Sequence, residues 1–309
     1  MAASFSFPAE IVSEPTETTM TEPPAFLSDR RSIFLMLSSI VLFSVNTLII
    51  RGISAHVPAA DGWMASLFRG FVGLIVVSAI YGFGRGLNPQ RLIGSRLVII
   101  RGVVGAMGII AFYITITELG VSRAVVLNLT YPAFATIIAA LWLKETISRA
   151  GMIWMGVAFI GLLLFLSKDG QFLNPSPYDL LGIAGAMGAG WVVVVIRRLR
   201  HEEHPATIYA SQAFYGLLAS TPAAMKIHML PPFAWGGLAA GAVVVCFAQL
   251  LMTRAYQILP VSRGSAMHMT VPLVTALGGH YLFGETFGGM ELAGAALTLV
   301  ATWRVVVSK

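Results

Sequence analysis

Two stretches of the sequence, 140 residues apart, follow one pattern. Residues 119–146 read LGVSRAVVLNLTYPAFATIIAALWLKET, and residues 259–286 read LPVSRGSAMHMTVPLVTALGGHYLFGET. Eight of the 28 aligned positions are identical, and they include a Val-Ser-Arg turn, a central Thr-x-Pro and a final Glu-Thr. Repetition at a fixed offset indicates duplicated structural units. The chain is therefore predicted to contain two related halves.

The composition decides what kind of molecule these halves form. The chain has 309 residues, of which 57% are hydrophobic and 11% charged, and its mean hydropathy is +0.80. Soluble domains carry about 25% charged residues, so this chain has too few charges to cover a surface that faces water. A soluble enzyme, a nucleic-acid-binding protein and a disordered scaffold are excluded on this ground. At about 30 residues for each membrane span and its loop, the length predicts about ten spans.

Hydropathy places the spans along the chain. Most are near twenty residues, which is the length of a membrane helix and about twice that of a barrel strand. The predicted fold class is therefore an all-α integral membrane protein with ten transmembrane helices, each closing its own backbone hydrogen bonds. The predicted spans are 32–53, 62–83, 97–118, 122–143, 150–167, 178–197, 206–226, 233–256, 262–283 and 288–307.

The distribution of basic residues predicts the orientation in the membrane. Fifteen Lys and Arg residues fall on the side of the N-terminus and four on the other, with Arg69 left out because it lies inside the second span. Cytoplasmic loops are enriched in these residues, so both termini are predicted to be cytoplasmic in a bacterial inner membrane. Residues 1–28 contain four glutamates and no Lys or Arg, unlike a signal peptide. A disordered N-terminal tail is predicted over residues 1–31.

The repeat extends over nearly the whole chain. Ser44–Arg51 is echoed by Gly190–Arg197, and Arg69–Leu74 is echoed by Gln212–Leu217. The two halves are therefore predicted to be five-helix units at 32–167 and 178–307. Because five is odd, equivalent helices would cross the bilayer in opposite directions. Inverted repeats around a central cavity are typical of secondary transporters, although a duplication kept only for fold stability is the alternative.

The same motifs carry a family resemblance. The Leu-x-Val-Ser turn, the apolar span with a central proline and the final Glu-Thr resemble the EamA-type repeat of the drug/metabolite transporter superfamily. The resemblance covers both halves, and it implies a ten-helix exporter of small metabolites with a cavity between the halves. The chain also resembles YddG-type bacterial amino-acid exporters, some of which prefer aromatic substrates. This resemblance implies export of amino acids by alternating access.

Proline interrupts two of the predicted spans near their middle. Pro132 and Pro272 cannot donate to the carbonyls of Asn128 and His268, so a break coincides with a polar side chain in each half. Irregular backbone at this depth occurs where it is buried in protein or lines a wet cavity. We expect Asn128 and His268 to bind substrate and the prolines to act as hinges. The alternative is a pair of packing kinks satisfied by Thr or Ser hydroxyls.

Other polar and aromatic residues in the spans are candidate substrate ligands. Asn46 and Gln249 are isolated amides, for which hydrogen bonding between helices is an equal alternative. Trp191 follows a run of glycines that would let a neighbouring helix approach, and its indole could form the floor of a cavity. Tyr113, Tyr209 and Tyr215 are further candidates, with an interfacial position as the alternative for each.

Two arginines interrupt the apolar spans. Arg69 lies in the second span, where an arginine at helix centre costs about 2.5–3.5 kcal/mol, and its role is either structural or the binding of a substrate carboxylate. Arg101 is a candidate substrate ligand in the third span, with an orientation anchor near the membrane surface as the alternative.

The positions of the acidic residues bear on energy coupling. No Asp or Glu falls in the middle of a predicted span, and a buried acid is the usual carrier in proton-driven antiporters. Facilitated export is therefore predicted, with proton coupling through His268 as the alternative.

Three other functional classes compete with transport. An enzyme would need a nucleophile or metal site at depth, and the His201–His204 sequence lacks the His-Glu-x-x-His spacing. A channel would need a charged or carbonyl filter, and a structural subunit is the third alternative. No enzyme activity, cofactor or metal is expected; the expected partners are a small-molecule substrate and the lipid bilayer, without nucleic acid, for a chain acting as a monomer.

Overall fold

The computed structural model describes residues 25–82, 85–119, 121–145, 148–166, 176–284 and 286–307. Within these ranges the chain forms helices joined by short turns and contains no β-strand. The α-helices are α1 (Ala25–Ser54), α2 (Gly62–Tyr81), α3 (Pro89–Gly94), α4 (Arg96–Leu119), α5 (Val121–Asn128), α6 (Tyr131–Ile138), α7 (Arg149–Leu166), α8 (Pro177–Arg198), α9 (Pro205–Ala219), α10 (Pro232–Ile258), α11 (Val261–His268), α12 (Val271–Phe283) and α13 (Gly289–Val307). A π-helical turn, Ala139–Leu143, follows α6, and 3₁₀ helices occupy Leu199–His201 and Thr221–Met229.

Several of these helices are suited to a bilayer. In the described part of the chain, five are long and apolar enough to cross a membrane: Arg30–Ser54, Gly62–Tyr81, Pro177–His201, Pro232–Ile258 and Gly289–Val307. The prediction of an all-helical membrane protein is confirmed. The total of ten spans, their inverted arrangement and the central cavity stay predictions.

Two helix boundaries differ from the hydropathy prediction. Helix α1 begins at Ala25, seven residues before the predicted start of the first span, because neither Pro nor Gly interrupts the chain between Pro24 and that span. Helix α9 ends at Ala219, and Pro222 lies in the 3₁₀ helix that follows. A proline there cannot continue an α-helical hydrogen-bond ladder, so the predicted seventh span divides in two. Residues 1–24 of the predicted tail lie outside the described residues.

Both proline-containing spans are divided at equivalent positions. Helix α5 ends at Asn128 and α6 begins at Tyr131, and 140 residues later α11 ends at His268 and α12 begins at Val271. Pro132 and Pro272 are therefore in the first turn of the second segment. A proline in the first turn gives up no intrahelical bond, because the first N–H groups of a helix have no partner in it.

At each break, a threonine hydroxyl donates a hydrogen bond to a backbone carbonyl. Thr130 donates to the carbonyl of Leu127, and Thr270 donates to that of Met267, each over 2.7 Å. These carbonyls precede by one residue the ones that the prolines leave without an intrahelical donor. The hydroxyls predicted for packing kinks are thus present, but they are bonded to neighbouring carbonyls.

The helix contacts come in matching pairs. Helix α1 packs on α10 and α8 packs on α4; α2 contacts α10 and α9 contacts α4; α12 lies against α1 and α6 against α8. Two further contacts, α2 with α9 and α7 with α13, join helices that occupy the same place in each half. Helices α2, α4, α9 and α10 are thus joined in a row across the two halves: α4 contacts α9, α9 contacts α2, and α2 contacts α10.

Glycines allow the closest of these helix contacts. A Cβ at Gly294 of α13 would lie 2.5 Å from the backbone nitrogen of Phe165 in α7, and one at Gly190 of α8 would lie 2.8 Å from that of Ala135 in α6. Small residues at such crossings let membrane helices approach to backbone contact. The glycine run before Trp191 therefore acts as predicted, as a surface for a neighbouring helix.

Candidate functional site

A fully buried arginine lies where α4 packs against α9. Arg101 on α4 has 0% exposure, and its Nη2 donates to Oε1 of Gln212 on α9 over 2.7 Å. Gly105, one turn further along α4, leaves room for the guanidinium, because a Cβ there would lie 2.8 Å from Nη1. A side chain at this depth inside the protein cannot contact lipid headgroups. The burial of Arg101 argues against an orientation anchor at the membrane surface, and its role as a substrate ligand stays a prediction.

A second arginine–glutamine pair lies on the neighbouring helices. Nη2 of Arg69 on α2 donates to Oε1 of Gln249 on α10 over 2.8 Å, and Gln249 is 4% exposed. Because α2 occupies the place of α9 and α10 that of α4, the two pairs join equivalent helices, with arginine and glutamine exchanged. Arg69 and Gln212 also occupy matching positions in the sequence repeat.

Tyr209 lies between the two pairs. It is 1% exposed on α9, its hydroxyl lies against Gly73 of α2, and it is close enough to Arg69 and Arg101 to interact electrostatically with both. The thiol of Cys246 on α10 lies beside the Tyr209 hydroxyl, 4.0 Å from the Gly73 carbonyl oxygen. We call Arg69, Arg101, Tyr209, Gln212, Cys246 and Gln249 the arginine cluster.

The arginine cluster contains more hydrogen-bond donors than acceptors. Among the described residues, Nε and Nη1 of Arg101 are buried without a hydrogen-bond partner, and the buried hydroxyl of Tyr209 has only the Cys246 sulfur beside it. The two guanidinium groups are also close enough to repel each other. Buried polar groups are normally satisfied, so the cluster is suited to an external acceptor that carries negative charge.

His268 belongs to a separate group of aromatic rings. At the end of α11 its imidazole contacts Phe43 of α1 edge-on, with ring centroids 5.3 Å apart, and Tyr131 of α6 at 6.1 Å. Its Nε2 is buried and has no hydrogen-bond partner within the described ranges. This imidazole joins the broken helices of both halves.

The other predicted ligands whose side chains are described have surroundings of their own. Asn46 on α1 faces Gly241 of α10, where its Oδ1 would be 3.2 Å from an added Cβ. The indole of Trp191 stacks on that of Trp142 with centroids 4.7 Å apart, an arrangement of helix packing. Asn128 is the half-buried last residue of α5. Tyr113 lies in α4, but its side chain is outside the described residues.

The structure thus divides the predicted ligands into groups and adds members to one of them. Arg101, Tyr209 and Gln249 are brought into the arginine cluster, whereas His268 lies in the aromatic group. Gln212 was missed as a ligand, although its alignment with Arg69 marked it as the polar residue of its span. Arg69 was left without an assigned role because hydropathy gives its depth and not its partner.

The His201–His204 segment makes contacts of an ordinary polar loop. Nε of Arg91 lies 3.4 Å from Oε1 of Glu203, and Nδ1 of His204 accepts from the backbone N–H of Ala206 at the start of α9. In the part of the chain that the structure describes, no group of three or more His, Cys, Asp or Glu side chains could hold a metal ion.

Comparison with known families decides what the repeat is. The model of the EamA-like transporter family matches residues 30–167 and again residues 176–307. The chain belongs to the EamA-like transporter family. The family resemblance of the repeat is thereby confirmed, whereas a YddG-type specificity stays a prediction. Membership of the EamA-like family makes the chain a multi-pass membrane transporter.

Curated relatives of this EamA-like transporter are also transport proteins. The pseudopaline exporter CntI of Pseudomonas aeruginosa is 28% identical over 284 residues, covering 88% of this chain and 94% of that protein. An S-adenosylmethionine uptake transporter of Rickettsia felis is 21% identical, covering 88% and 91%. The riboflavin transporter of Vibrio cholerae is 26% identical over 187 residues, covering 58% of this chain and 60% of its own.

A solved structure shares the fold. One protein crystal structure superposes with a TM-score of 0.68 at 16% identity, covering 89% of this chain and 96% of that one. The agreement extends over both halves of the EamA-like chain and supports the helix arrangement described above.

Proposed function

We propose that this EamA-like transporter exports a small amphipathic metabolite, an amino acid, by alternating access between two inverted five-helix halves. The observation that carries the proposal is the arginine cluster, which lies where α2 and α4 of the first half meet α9 and α10 of the second. Substrate sites of inverted-repeat transporters lie at such a seam.

The matched helix contacts support the two halves at 32–167 and 178–307. Exchanging α1 with α8, α2 with α9, α4 with α10 and α6 with α12 turns the main contacts between the halves into others that are observed: α1–α10 becomes α8–α4, α2–α10 becomes α9–α4, and α1–α12 becomes α8–α6. A two-fold relation of this kind between five-helix units would place equivalent helices antiparallel. Rocking of one half against the other would then open the seam alternately to each side.

The basic loops support a plasma-membrane orientation with both termini in the cytoplasm. Arg91, Arg197, Arg198 and Arg200 lie on one side, together with the start of α7 at Arg149. In this orientation the substrate would enter from the side of these loops. We propose that the chain acts as a monomer in the bacterial inner membrane.

The relatives support a small metabolite without selecting one. One is named for the export of pseudopaline, another for the uptake of S-adenosylmethionine and a third for riboflavin. We propose export as the direction of transport because the pseudopaline exporter has the highest identity of these three and covers 88% of this chain. The carboxylate of an amino acid fits a site that combines two arginine–glutamine pairs with a tyrosine hydroxyl.

Facilitated transport is the proposed energetic mode. The carboxylates of the described membrane helices lie near helix ends, as Glu118 in α4 and Glu291 in α13 do. A second mode, proton coupling, is favoured by one observation: the buried Nε2 of His268 without a partner among the described residues. A neutral imidazole that gains a proton can act as a carrier.

Counterflow in liposomes tests the proposed transport. Purified protein is reconstituted into vesicles loaded with one unlabelled amino acid, and accumulation of its labelled form is followed across a panel that includes aromatic side chains. Saturable accumulation with at least one amino acid is expected, and vesicles without protein are the control. A panel without any accumulation would contradict the proposed substrate class.

A pH gradient separates the two energetic modes. If transport is facilitated, net flux follows the substrate gradient and is unchanged when an imposed proton gradient is collapsed. If His268 carries protons, the His268→Gln protein keeps counterflow and loses the response to the gradient. A proton-dependent flux that survives His268→Gln would contradict both modes.

A further inference from the structure

We propose that Arg69 and Arg101 recognise two carboxylates of one substrate, so that the transported metabolite carries a net negative charge. The proposal rests on the export function proposed above, and it narrows the substrate from amino acids in general to acidic, dicarboxylic compounds.

The first argument for an anionic substrate is the uncompensated positive charge of the arginine cluster. Arg69 and Arg101 each hydrogen-bond a neutral glutamine, and neither forms an ion pair with a described carboxylate. Two positive charges therefore lie close together in the centre of a membrane protein. Such charges are costly unless an anion compensates them.

The second argument is that hydrogen-bond donors of the arginine cluster lack acceptors within the protein. The buried Nε and Nη1 of Arg101 lack acceptors within the described residues, and the Tyr209 hydroxyl has only the weak acceptor of the Cys246 sulfur. A carboxylate supplies two acceptor oxygens, and arginine binds it through two parallel N–H groups. Glutamine acceptors on one donor of each guanidinium fix its orientation and leave its other donors for a ligand.

The composition of the cluster argues against a neutral zwitterion with a single carboxylate. Cys246, Tyr209 and two glutamines supply no negative charge to pair with a substrate ammonium group. A neutral zwitterion offers one carboxylate to two arginines, and an ammonium group beside the guanidinium groups would be repelled strongly in a site of low dielectric. A dianion would satisfy both arginines at once.

Three five-carbon probes of matched length test the charge preference: glutarate with two carboxylates, 5-aminopentanoate with one carboxylate and one ammonium group, and cadaverine with two ammonium groups. Each is titrated into the purified full-length protein while its thermal midpoint is followed, since a ligand of the native state raises that midpoint. Glutarate is expected to act at concentrations about tenfold or more below those of 5-aminopentanoate. Equal or stronger effects of 5-aminopentanoate or cadaverine would overturn the proposal.

Isosteric substitutions distinguish binding from a structural role. Gln212→Glu and Gln249→Glu each place a carboxylate on an arginine and keep an oxygen acceptor in the position that the glutamine supplies. If the arginines only join helices, these variants bind glutarate as wild type does, and the proposal fails. If they bind substrate, each variant weakens glutarate about tenfold or more and moves the preference toward 5-aminopentanoate. Gln90→Glu, an exposed glutamine on α3, makes the same charge change away from the cluster and should leave binding unchanged.

The two readouts separate this proposal from the export function. If no amino acid shows counterflow but glutarate still raises the thermal midpoint, transport of the amino acids tested is contradicted and the anion site stands. If neutral amino acids show counterflow, and glutarate neither inhibits it nor raises the thermal midpoint of the protein, the anion site is contradicted and the export function stands.

Discussion

Arg197 donates from Nε to Oε1 of Glu145 over 2.9 Å, and this ion pair joins the end of α8 to the end of the first sequence repeat. The other carboxylate oxygen accepts from the backbone N–H of Val261 over 3.0 Å, at the start of α11. Arg197 also donates from Nη1 to the carbonyl of Gln257 over 2.6 Å. One carboxylate therefore connects elements of both halves at one end of the molecule.

Replacing Glu145 by Gln should weaken this end of the structure. The side chains of Arg197 and Glu145 are 12% and 19% exposed, so water replaces the lost charge poorly, and the free energy of unfolding should fall by about 1–3 kcal/mol. Thermal unfolding in detergent measures the loss, and hydrogen exchange at Val261 should become faster. Glu202→Gln is the control, because its ion pair with Arg198 is about half exposed and should contribute less than about 1 kcal/mol. Equal losses in both variants would contradict a special role for Glu145.

The two helix breaks should matter for transport more than for stability. Pro132→Ala and Pro272→Ala each supply an N–H that can bond to the carbonyl of Asn128 or His268, which favours a continuous helix. If the breaks act as hinges, initial rates of counterflow fall severalfold while the thermal midpoint stays the same or rises. Pro177→Ala, at the first position of α8, is the control and should leave the rate unchanged. Wild-type rates in both hinge variants would favour simple packing kinks.

The left-handed residue that ends each repeat gives a stability prediction. Lys144 has φ 55° and Gly284, 140 residues later, has φ 69°. Gly284→Ala should lower the free energy of unfolding by about 1–2 kcal/mol, because a Cβ disfavours this conformation and none of its neighbours lies within 4 Å to compensate or clash. Lys144→Gly should be neutral or stabilising for the same reason. Gly156→Ala on α7, which also has open space around its Cβ, is the control and should stabilise by about 0.5–1 kcal/mol. A Gly284→Ala protein as stable as wild type would show that the turn is not strained.

Stability should depend on pH through His204. Burial, and then the charge of Arg254, lower the pKa of His204 below its usual value near 6.5. The neutral ring is needed because Nδ1 accepts from the N–H of Ala206 over 3.2 Å and caps α9. This contribution is complete above about pH 6.5 and is lost as the pH falls from there toward the lowered pKa. His204→Asn can cap without titrating, so its thermal midpoint should fall less than that of wild type between pH 7 and pH 5. Parallel pH profiles of the two proteins would contradict this.

The sequence predicted the helical membrane class because hydropathy over twenty residues is a local property. It also predicted where helices break, since Pro132 and Pro272 act on the backbone within one turn. It did not predict the division of the seventh span. Pro222 lies near the end of that apolar run, and the span was placed from its hydropathy without regard to the proline. Depth in the bilayer made Arg69 conspicuous without assigning it a partner.

By itself, then, the sequence determined an EamA-type repeat, its polar residues and their approximate depth, because these depend on composition and spacing along the chain. Only the tertiary structure decided that Arg101 meets Gln212, 111 residues away, and that Arg69 meets Gln249, 180 residues away. Which side chains touch across two helices depends on how the helices rotate and slide against each other. Packing fixes both, and at α13 and α8 it is set by glycines such as Gly294 and Gly190 that let the backbones approach.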